Sequence, residues 1–242
     1  MDTSLLKLLR KSLFPICLLF AFIIAFANFV GLSTISKYSE DLKFFTLAHL
    51  QLVFISMLFA LIIGLAAGIL LSRSAAKKIA NFVMQIFNVG NTLPSIAVLA
   101  IAMTFLGIGI LPAVLALFLA SLLPIVRNTY SGLISVNPAF KESARAMGMT
   151  TWQSLIRVEI PNAMPVIIAG VRTALSINIG TAPLAFLIGA DSLGSLIFPG
   201  VYLYQIDKLI IGTAATALMA IVFDFIIAGL SSMWLNSRGL SK

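Results

Sequence analysis

Apolar residues fill long stretches of this chain, and polar residues gather in the shorter segments between them. Each stretch exceeds the roughly 17 residues that a helix needs to cross the hydrocarbon core of a bilayer. A helix satisfies its own backbone hydrogen bonds there, and the stretches lack the period-two alternation of barrel strands. The pattern predicts an all-α membrane protein with about six transmembrane helices. The predicted spans are Leu13–Val30, Ala48–Leu71, Phe82–Leu106, Ile110–Val136, Ala163–Ile188 and Leu209–Leu235.

Composition agrees with this prediction, since 60% of the residues are hydrophobic and 10% are charged. A soluble domain carries about 25% charged residues. Lys7, Arg10 and Lys11 precede the first apolar run, as in a signal peptide. That run is long enough to span and no small-x-small cleavage site ends it, so we expect an uncleaved first span.

The net charge of +8 follows the membrane topology. With a cytoplasmic N-terminus, twelve basic residues fall on the inner side and three on the outer side, as the positive-inside rule requires. The inner residues are Lys7, Arg10, Lys11, Arg73, Lys77, Lys78, Arg127, Lys141, Arg145, Arg157, Arg238 and Lys242, and the outer ones are Lys37, Lys43 and Lys208. No basic face with interleaved aromatic residues lies outside the spans, so no nucleic-acid partner is expected.

Three regions follow from these spans: residues 1–47 as an N-terminal anchor helix with an outer loop, 48–235 as the transmembrane core, and 236–242 as a cytoplasmic tail. One cysteine, Cys17, allows no disulfide within the chain and no cysteine-based metal site. With a single histidine, His49, a histidine-rich metal site is also excluded. We expect neither a metal nor a cofactor in this chain.

The segment between the fourth and fifth spans, residues 137–162, predicts two short helices on the cytoplasmic side. Asn137 and Pro138 suit the start of the first helix, and Gly148 suits its end. Thr150 and Gln153 have the spacing of a capping box for the second helix.

This pair of helices is amphipathic. Its predicted exposed polar residues are Lys141, Glu142, Arg145, Gln153, Arg157 and Glu159, and its apolar residues are Phe140, Ala144, Met147, Trp152, Leu155 and Ile156. Such a block can lie on the lipid surface or dock into a groove of a soluble partner. Residue types alone leave both possibilities open.

The same segment resembles the EAA motif of ABC importer permeases, E-A-A-x3-G-x9-I-x-L-P. The matching residues are Glu142, Ser143, Ala144, Gly148, Val158, Ile160 and Pro161. Ser143 replaces the first alanine, Val158 the isoleucine and Ile160 the leucine, while the glutamate, glycine and proline keep their spacing. The resemblance implies that Glu142, Ser143, Ala144, Gly148, Ile160 and Pro161 couple the chain to an ATPase subunit.

Other segments resemble the osmoprotectant branch of that family, which imports glycine betaine, choline, carnitine and related solutes. They are residues 91–95, 107–109, 123–130, 170–174, 177–182 and 188–190. Where members of the branch often read Gly-Ala-Gly-Gly-Leu-Gly, this chain has Asp191 and Ser192 in place of the central glycines.

The resemblance implies a type I, MetI-like permease bundle in the bacterial inner membrane, without an ATPase site of its own. The chain has no Walker-type glycine-rich loop, so ATP-Mg would be bound by a separate ABC ATPase dimer. The other implied partners are an extracytoplasmic solute-binding protein, a second permease copy in a homodimer or heterodimer, and membrane lipid.

Polar residues within the spans are candidates for function. Arg172 and Asp224 are predicted to form an intramembrane charge pair, with snorkelling of Arg172 to the headgroups as the alternative. A translocation path is predicted along Asn91, Pro94, Ser95, Asn178 and Thr181, with helix kinking by proline and interhelical hydrogen bonding as the alternative roles.

Three other functions fit the sequence less well. An intramembrane hydrolase needs an activated nucleophile or paired carboxylates, and Asp207 and Asp224 lie at different depths. An ion-coupled secondary transporter usually shows an inverted repeat and more buried carboxylates. A permease for another small solute, such as an amino acid, also remains an alternative, and no residue is expected to be catalytic.

Overall fold

The structure is a computed structural model that describes residue 24 and residues 31–90 and 92–237. All regular elements in these ranges are helical. The helices are α1 (Leu32–Lys37), α2 (Ser39–Leu71), α3 (Lys77–Gly90), α4 (Ser95–Leu106), α5 (Ile110–Ile134), α6 (Pro138–Ala146), α7 (Thr151–Ser154), α8 (Ile160–Thr181), α9 (Gly194–Tyr202) and α10 (Ile206–Ser237). Short 3-10 turns occupy Ser74–Ala76 and Ala182–Ile188, and a π-helical turn occupies Leu155–Glu159.

Four helical stretches in the described part of the chain are long and apolar enough to cross a bilayer: Ser39–Leu71, Ile110–Ile134, Thr151–Ile188 and Ile206–Asn236. They correspond to the second, fourth, fifth and sixth predicted spans. Apart from residue 24, the first predicted span lies outside the described residues. The all-helical membrane fold class is therefore confirmed.

The third predicted span is not one helix. Residues 82–106 are divided between α3 and α4, and α4 begins only at Ser95. Proline disfavours helical geometry in the residue before it, so Pro94 restricts Leu93 and ends the continuity that the apolar sequence suggested. Thr92 also turns its hydroxyl back onto the carbonyl oxygen of Val89, 2.7 Å away.

The predicted outer loop before the second span is also helical. The α2 helix runs across the expected boundary between residues 47 and 48, and its 33 residues extend about 50 Å. Glu40 and Asp41 lie in its first turn, where the helix dipole favours negative charge. Glu40 also accepts a hydrogen bond from Lys43 at 3.0 Å.

The core lies where α2, α5 and α8 pack together. At Gly68 of α2, a Cβ atom would lie 2.5 Å from the Cβ of Thr129 in α5, so only glycine permits this approach. The buried core includes Leu52 of α2, Ile125 of α5 and Ile179 of α8. A separate cluster around Leu133, Leu155 and Ala163 fills the end of the bundle where α6 and α7 lie.

The opposite end of the bundle carries the short connections. The backbone N–H of Gly109 donates to the carbonyl oxygen of Ile188 at 2.8 Å, which ties the turn before α5 to the segment after α8. The stretch from Gly189 to Asp207 contains α9.

Candidate coupling and translocation site

The helix α6 is bounded as the sequence predicted. The Asn137 side chain accepts a hydrogen bond from the backbone N–H two residues on, at 3.0 Å, and Pro138 takes the first helical position. At the other end, the N–H of Met149 donates to the carbonyl oxygen of Ala144 at 3.0 Å. This turn places Gly148 at φ +74°, a left-handed conformation that glycine adopts without strain.

The next helix, α7, begins with the predicted capping box. The Thr150 hydroxyl accepts from the Gln153 N–H at 3.3 Å, and the Gln153 side-chain oxygen accepts from the Thr150 N–H at 2.9 Å. The π turn Leu155–Glu159 then leads directly into α8. Residues 137–159 therefore form a compact projection, the coupling block, that is continuous with a membrane-spanning helix.

The coupling block presents an uncovered apolar surface. Ala144 and Leu155 are buried, whereas four other apolar side chains of the block are exposed. We call the exposed set the docking face: Phe140, Met147, Trp152 and Ile156. Trp152 is 68% exposed and Met147 is 67% exposed. Glu142 and Ser143 are also exposed on α6.

Glu159 corrects the sequence analysis, which placed it among the exposed groups. It is 6% exposed and forms two hydrogen bonds with the Arg73 guanidinium, at 2.9 and 3.3 Å. The Lys141 ammonium lies 3.5 Å from the same carboxylate. A π turn holds one residue more than an α turn, which shifts the register that helical periodicity predicts.

The last two residues of the EAA-like motif form the joint between the block and the span. Ile160 is the first residue of α8, and Pro161 lies in its first turn, directly after the π turn. Both are partly buried. The coupling block is therefore joined through the backbone to the N-terminal end of α8.

The two ionisable residues predicted to meet within the spans lie together. Arg172 Nε is 2.8 Å from Asp224 Oδ1, and an Arg172 terminal nitrogen is 2.7 Å from Asp224 Oδ2. This bidentate pair joins α8 to α10. The alternative geometry, with Arg172 reaching away to the headgroups, is not the one observed.

Two of the predicted pathway residues line one cavity of about 280 Å³. Ser95 begins α4, Thr181 ends α8, and Leu117 of α5 lies on the wall between these helices. The volume approaches the lower end of small-molecule sites, roughly 300–1,000 Å³. The break between α3 and α4, where Pro94 is exposed, contributes Leu93 to the same cavity.

Asn178 is placed elsewhere. It is fully buried and donates to the hydroxyls of Ser56 and Ser121, at 2.8 and 2.7 Å, so it joins α8 to α2 and α5. It does not line the cavity that contains Thr181. The geometry is therefore that of interhelical hydrogen bonding, the alternative role considered above. Asn91 lies outside the described residues.

Arg127 is a polar cavity residue that the sequence analysis used only in the count of basic residues on the inner side. Arg127 lies within α5 and lines a second cavity of about 400 Å³ with Asn128 and Thr173. Phe87 and Ile177 line both cavities, which therefore adjoin. Position within the fourth predicted span was the signal that could have identified Arg127 as more than a loop residue.

Asp191 and Ser192, which depart from the glycines of the resembled pattern, lie at the start of α9. The buried Ser192 hydroxyl accepts from the Gly194 N–H at 3.1 Å, and the Asp191 carboxylate accepts from the Ser195 hydroxyl at 3.4 Å. Both side chains therefore satisfy polar groups at a helix start.

Residues 60–233 match the family described as binding-protein-dependent transport system inner membrane component. The chain is 59% identical over 199 residues to the osmoprotectant import permease protein OsmY of Salmonella typhimurium, covering 82% of this chain and 84% of the relative. It is 42% identical over 188 residues to the glycine betaine/carnitine/choline transport system permease protein OpuCB of Bacillus subtilis, covering 78% of this chain and 86% of the relative. The choline transport system permease protein OpuBB of the same organism is 40% identical over 188 residues, with the same coverage.

Solved structures share the fold. An inward-facing MetNI methionine ABC transporter chain superposes with a TM-score of 0.67 at 22% identity, covering 83% of this chain and 96% of that one. A chain of an amino acid ABC transporter, solved with histidines, gives a TM-score of 0.68 at 19% identity, covering 84% and 98%. This chain belongs to the family of inner membrane components of binding-protein-dependent transport systems.

Proposed function

We propose that this chain is the permease subunit of an ATP-driven importer for osmoprotectant solutes of the glycine betaine, carnitine and choline class. The printed functions of relatives at 40–59% identity support this solute class. The observation that carries the ATP-driven mechanism is the coupling block, which offers an exposed apolar face while its other side is anchored to the bundle.

The docking face suits a protein groove. Exposed aromatic residues such as Phe140 and Trp152 can fill pockets at a protein interface, and Glu142, exposed on the same block, offers a carboxylate to polar groups of the partner. The partner we propose is an ABC ATPase dimer that binds ATP-Mg. Closure of that dimer would displace the block and switch the bundle between outward-open and inward-open states.

The remaining partners follow from the same mechanism. A solute-binding protein would deliver the solute at the end of the bundle that carries Gly109 and Ile188, and a second permease copy would complete the pore. This orientation puts the coupling block and the N-terminus in the cytoplasm. With Arg127 set aside as a residue of α5, the eleven basic residues predicted on that side against three on the other support the orientation.

The adjoining cavities are the proposed route within one chain. They lie between α3, α4, α5 and α8 and combine apolar walls with the polar groups of Ser95, Thr181 and Arg127. A mostly apolar wall with a few polar groups is typical of small-molecule sites. Asn178 does not line the route, but its hydrogen bonds fix α8, which does, to α2 and α5.

Reconstitution tests the proposal. The permease, its ATPase and its binding protein are placed in liposomes, and ATP-dependent uptake of radiolabelled glycine betaine, carnitine and choline is compared with that of methionine and histidine. We expect uptake of at least one of the first three solutes to require both ATP and the binding protein. Uptake that follows an ion gradient without ATP, or that is confined to the amino acids, contradicts the proposal.

A further inference from the structure

An ion cluster joins the coupling block to parts of the bundle that are distant in sequence. Glu159 lies at the end of the π turn, Arg73 follows the C-terminal end of α2, and Lys141 belongs to α6. The Glu159 side chain is 8% exposed, and its carboxylate lies 2.9 Å from the Arg73 guanidinium and 3.5 Å from the Lys141 ammonium. One side chain thus contacts groups from two other elements.

Both cations also bind helix ends. Arg73 Nε donates to the carbonyl oxygen of Ile69, in the last turn of α2, at 3.3 Å. The Lys141 ammonium donates to the carbonyl oxygen of Leu133, in the last turn of α5, at 3.0 Å. Positive charge is favoured at these C-terminal ends by the helix dipole. Glu159 carries one negative charge against two positive ones, and the carbonyl ends of α2 and α5 compensate part of the remaining positive charge.

All three guanidinium nitrogens of Arg73 donate hydrogen bonds. Its Nε and one terminal nitrogen donate to the Ser72 hydroxyl at 3.1 and 2.7 Å, and that hydroxyl donates to Ile69 at 2.7 Å. Its two terminal nitrogens meet the two oxygens of Glu159. A planar guanidinium fixed on both sides transmits displacement with little freedom to rotate.

An apolar cluster alone would leave this junction able to slide. Beneath the ions, Leu155 of the block packs with Leu133, and Leu65 and Ile69 of α2 pack against that cluster. Dispersion contacts of this kind are not directional, whereas a bidentate ion pair fixes both distance and angle.

We propose that Glu159 is a positioning residue that makes the coupling block and the end of α2 move as one unit during the transport cycle. This inference rests on the proposed ATP-driven function. Displacement of the docking face then reaches α2 through Glu159 and Arg73, in addition to reaching α8 through the chain itself. Loss of the carboxylate should leave the docking face intact and disconnect it from α2.

The test separates two effects of a substitution: poorer coupling of ATP hydrolysis to uptake, and poorer binding of the ATPase. In the reconstituted complex, Glu159→Gln is expected to lower uptake of radiolabelled glycine betaine, carnitine or choline per ATP hydrolysed by about tenfold, the scale of coupling between distant sites. Co-purification of the ATPase should stay unchanged. Glu40→Gln is the matched control, because it removes an exposed carboxylate from α2 whose partner is Lys43.

A double variant separates the proposed positioning role from a loss of stability caused by leaving Arg73 unpaired. Glu159→Gln leaves Arg73 without its carboxylate, and loss of stability could follow from that alone. Arg73→Gln combined with Glu159→Gln removes both charges, so thermal stability should recover while uptake per ATP stays low. Recovery of uptake in the double variant, or loss of ATPase binding in Glu159→Gln, overturns the inference.

The proposed function has a separate outcome. Wild-type complex without ATP-dependent uptake contradicts the permease function itself. Wild-type uptake matched by Glu159→Gln overturns only the role of Glu159. Where Glu159→Gln does not accumulate in the membrane, the double variant decides whether Glu159 positions the coupling block or only stabilises the fold. Low uptake per ATP in a stable double variant supports positioning, and recovered uptake overturns it.

Discussion

Arg172 of α8 and Asp224 of α10 form a bidentate ion pair, with donor–acceptor distances of 2.8 and 2.7 Å. Each side chain keeps more than a third of its surface exposed in the isolated chain, at 38% and 39%. Both residues lie on helices that are apolar enough to span the membrane. The pair therefore places two opposite charges where neither is favoured alone.

Neutralising one partner should destabilise the protein more than neutralising both. An unpaired charge near the centre of a membrane helix costs about 2.5–3.5 kcal/mol on insertion scales. We expect Asp224→Asn to lower the melting temperature of the purified protein in lipid nanodiscs, and Asp224→Asn with Arg172→Gln to recover most of that loss. Equal melting temperatures for the single and double variants would contradict the pairing as a source of stability.

The charge-reversed variant, Arg172→Asp with Asp224→Arg, provides a second check. It should recover transport relative to either single reversal, since the same two charges meet across the same helices. Full transport in both single variants would show that the pair has no role in function.

Gly148 tests the turn that orients the two short helices of the coupling block. It has φ +74° and no neighbouring atom within 4 Å of the position that a Cβ would occupy, so backbone conformation is the only obstacle to a side chain. Left-handed conformation costs most residues about 1–2 kcal/mol and costs asparagine less. Gly148→Val should therefore lower ATP-dependent uptake strongly, and Gly148→Asn should lower it weakly.

Uptake by the two variants, measured at equal amounts of inserted protein, checks this prediction. The asparagine variant is the control, because it adds a side chain of similar size at the same open position. Equal loss in both variants would mean that glycine is required for close contact with a partner and not for its backbone conformation.

Trp152 tests the docking face. An exposed tryptophan that becomes buried at an interface is commonly a hot spot worth about 2 kcal/mol or more on truncation. Trp152→Ala should therefore weaken binding of the ATPase by about 30-fold, measured by titration of the ATPase against permease in nanodiscs. Phe105→Ala, at a site that is 82% exposed on α4, is the control and should bind the ATPase normally.

Local features of the coupling block could be predicted from sequence, and its long-range contacts could not. The caps at Asn137 and Thr150 depend on residues within three positions, so their spacing is visible in the chain. Glu159 depends on Arg73, 86 positions away, and on a π turn that helical periodicity does not encode. The exposed assignment of Glu159 failed for that reason.

The membrane helices show the same division. Length and apolar composition identified the long helices, because the bilayer imposes both. The interruption before Ser95 was missed because apolar residues continue through a break that depends on backbone geometry at Leu93 and Pro94. The Arg172–Asp224 pair could be suggested from sequence because charges within spans need partners.

Asn178 and Thr181 lie one helical turn apart on α8 and should respond differently to substitution. Asn178 is fully buried and hydrogen-bonded to Ser56 and Ser121, whereas Thr181 lines the cavity with Ser95. Asn178→Ala removes interhelical hydrogen bonds that are worth about 0.6 kcal/mol each on average in membrane proteins, and it also leaves a void. It should lower the melting temperature without changing the KM for solute presented on its binding protein or the order of preference among solutes.

Thr181→Ala should have the opposite profile. The Thr181 hydroxyl donates to the carbonyl oxygen of Ile177, one turn earlier in the same helix, so its removal leaves the packing between helices intact. We expect a normal melting temperature with altered relative uptake rates of glycine betaine, carnitine and choline. If Asn178→Ala changes solute preference and Thr181→Ala does not, the solute passes closer to the Asn178 network than to the cavity, and the route proposed here is wrong.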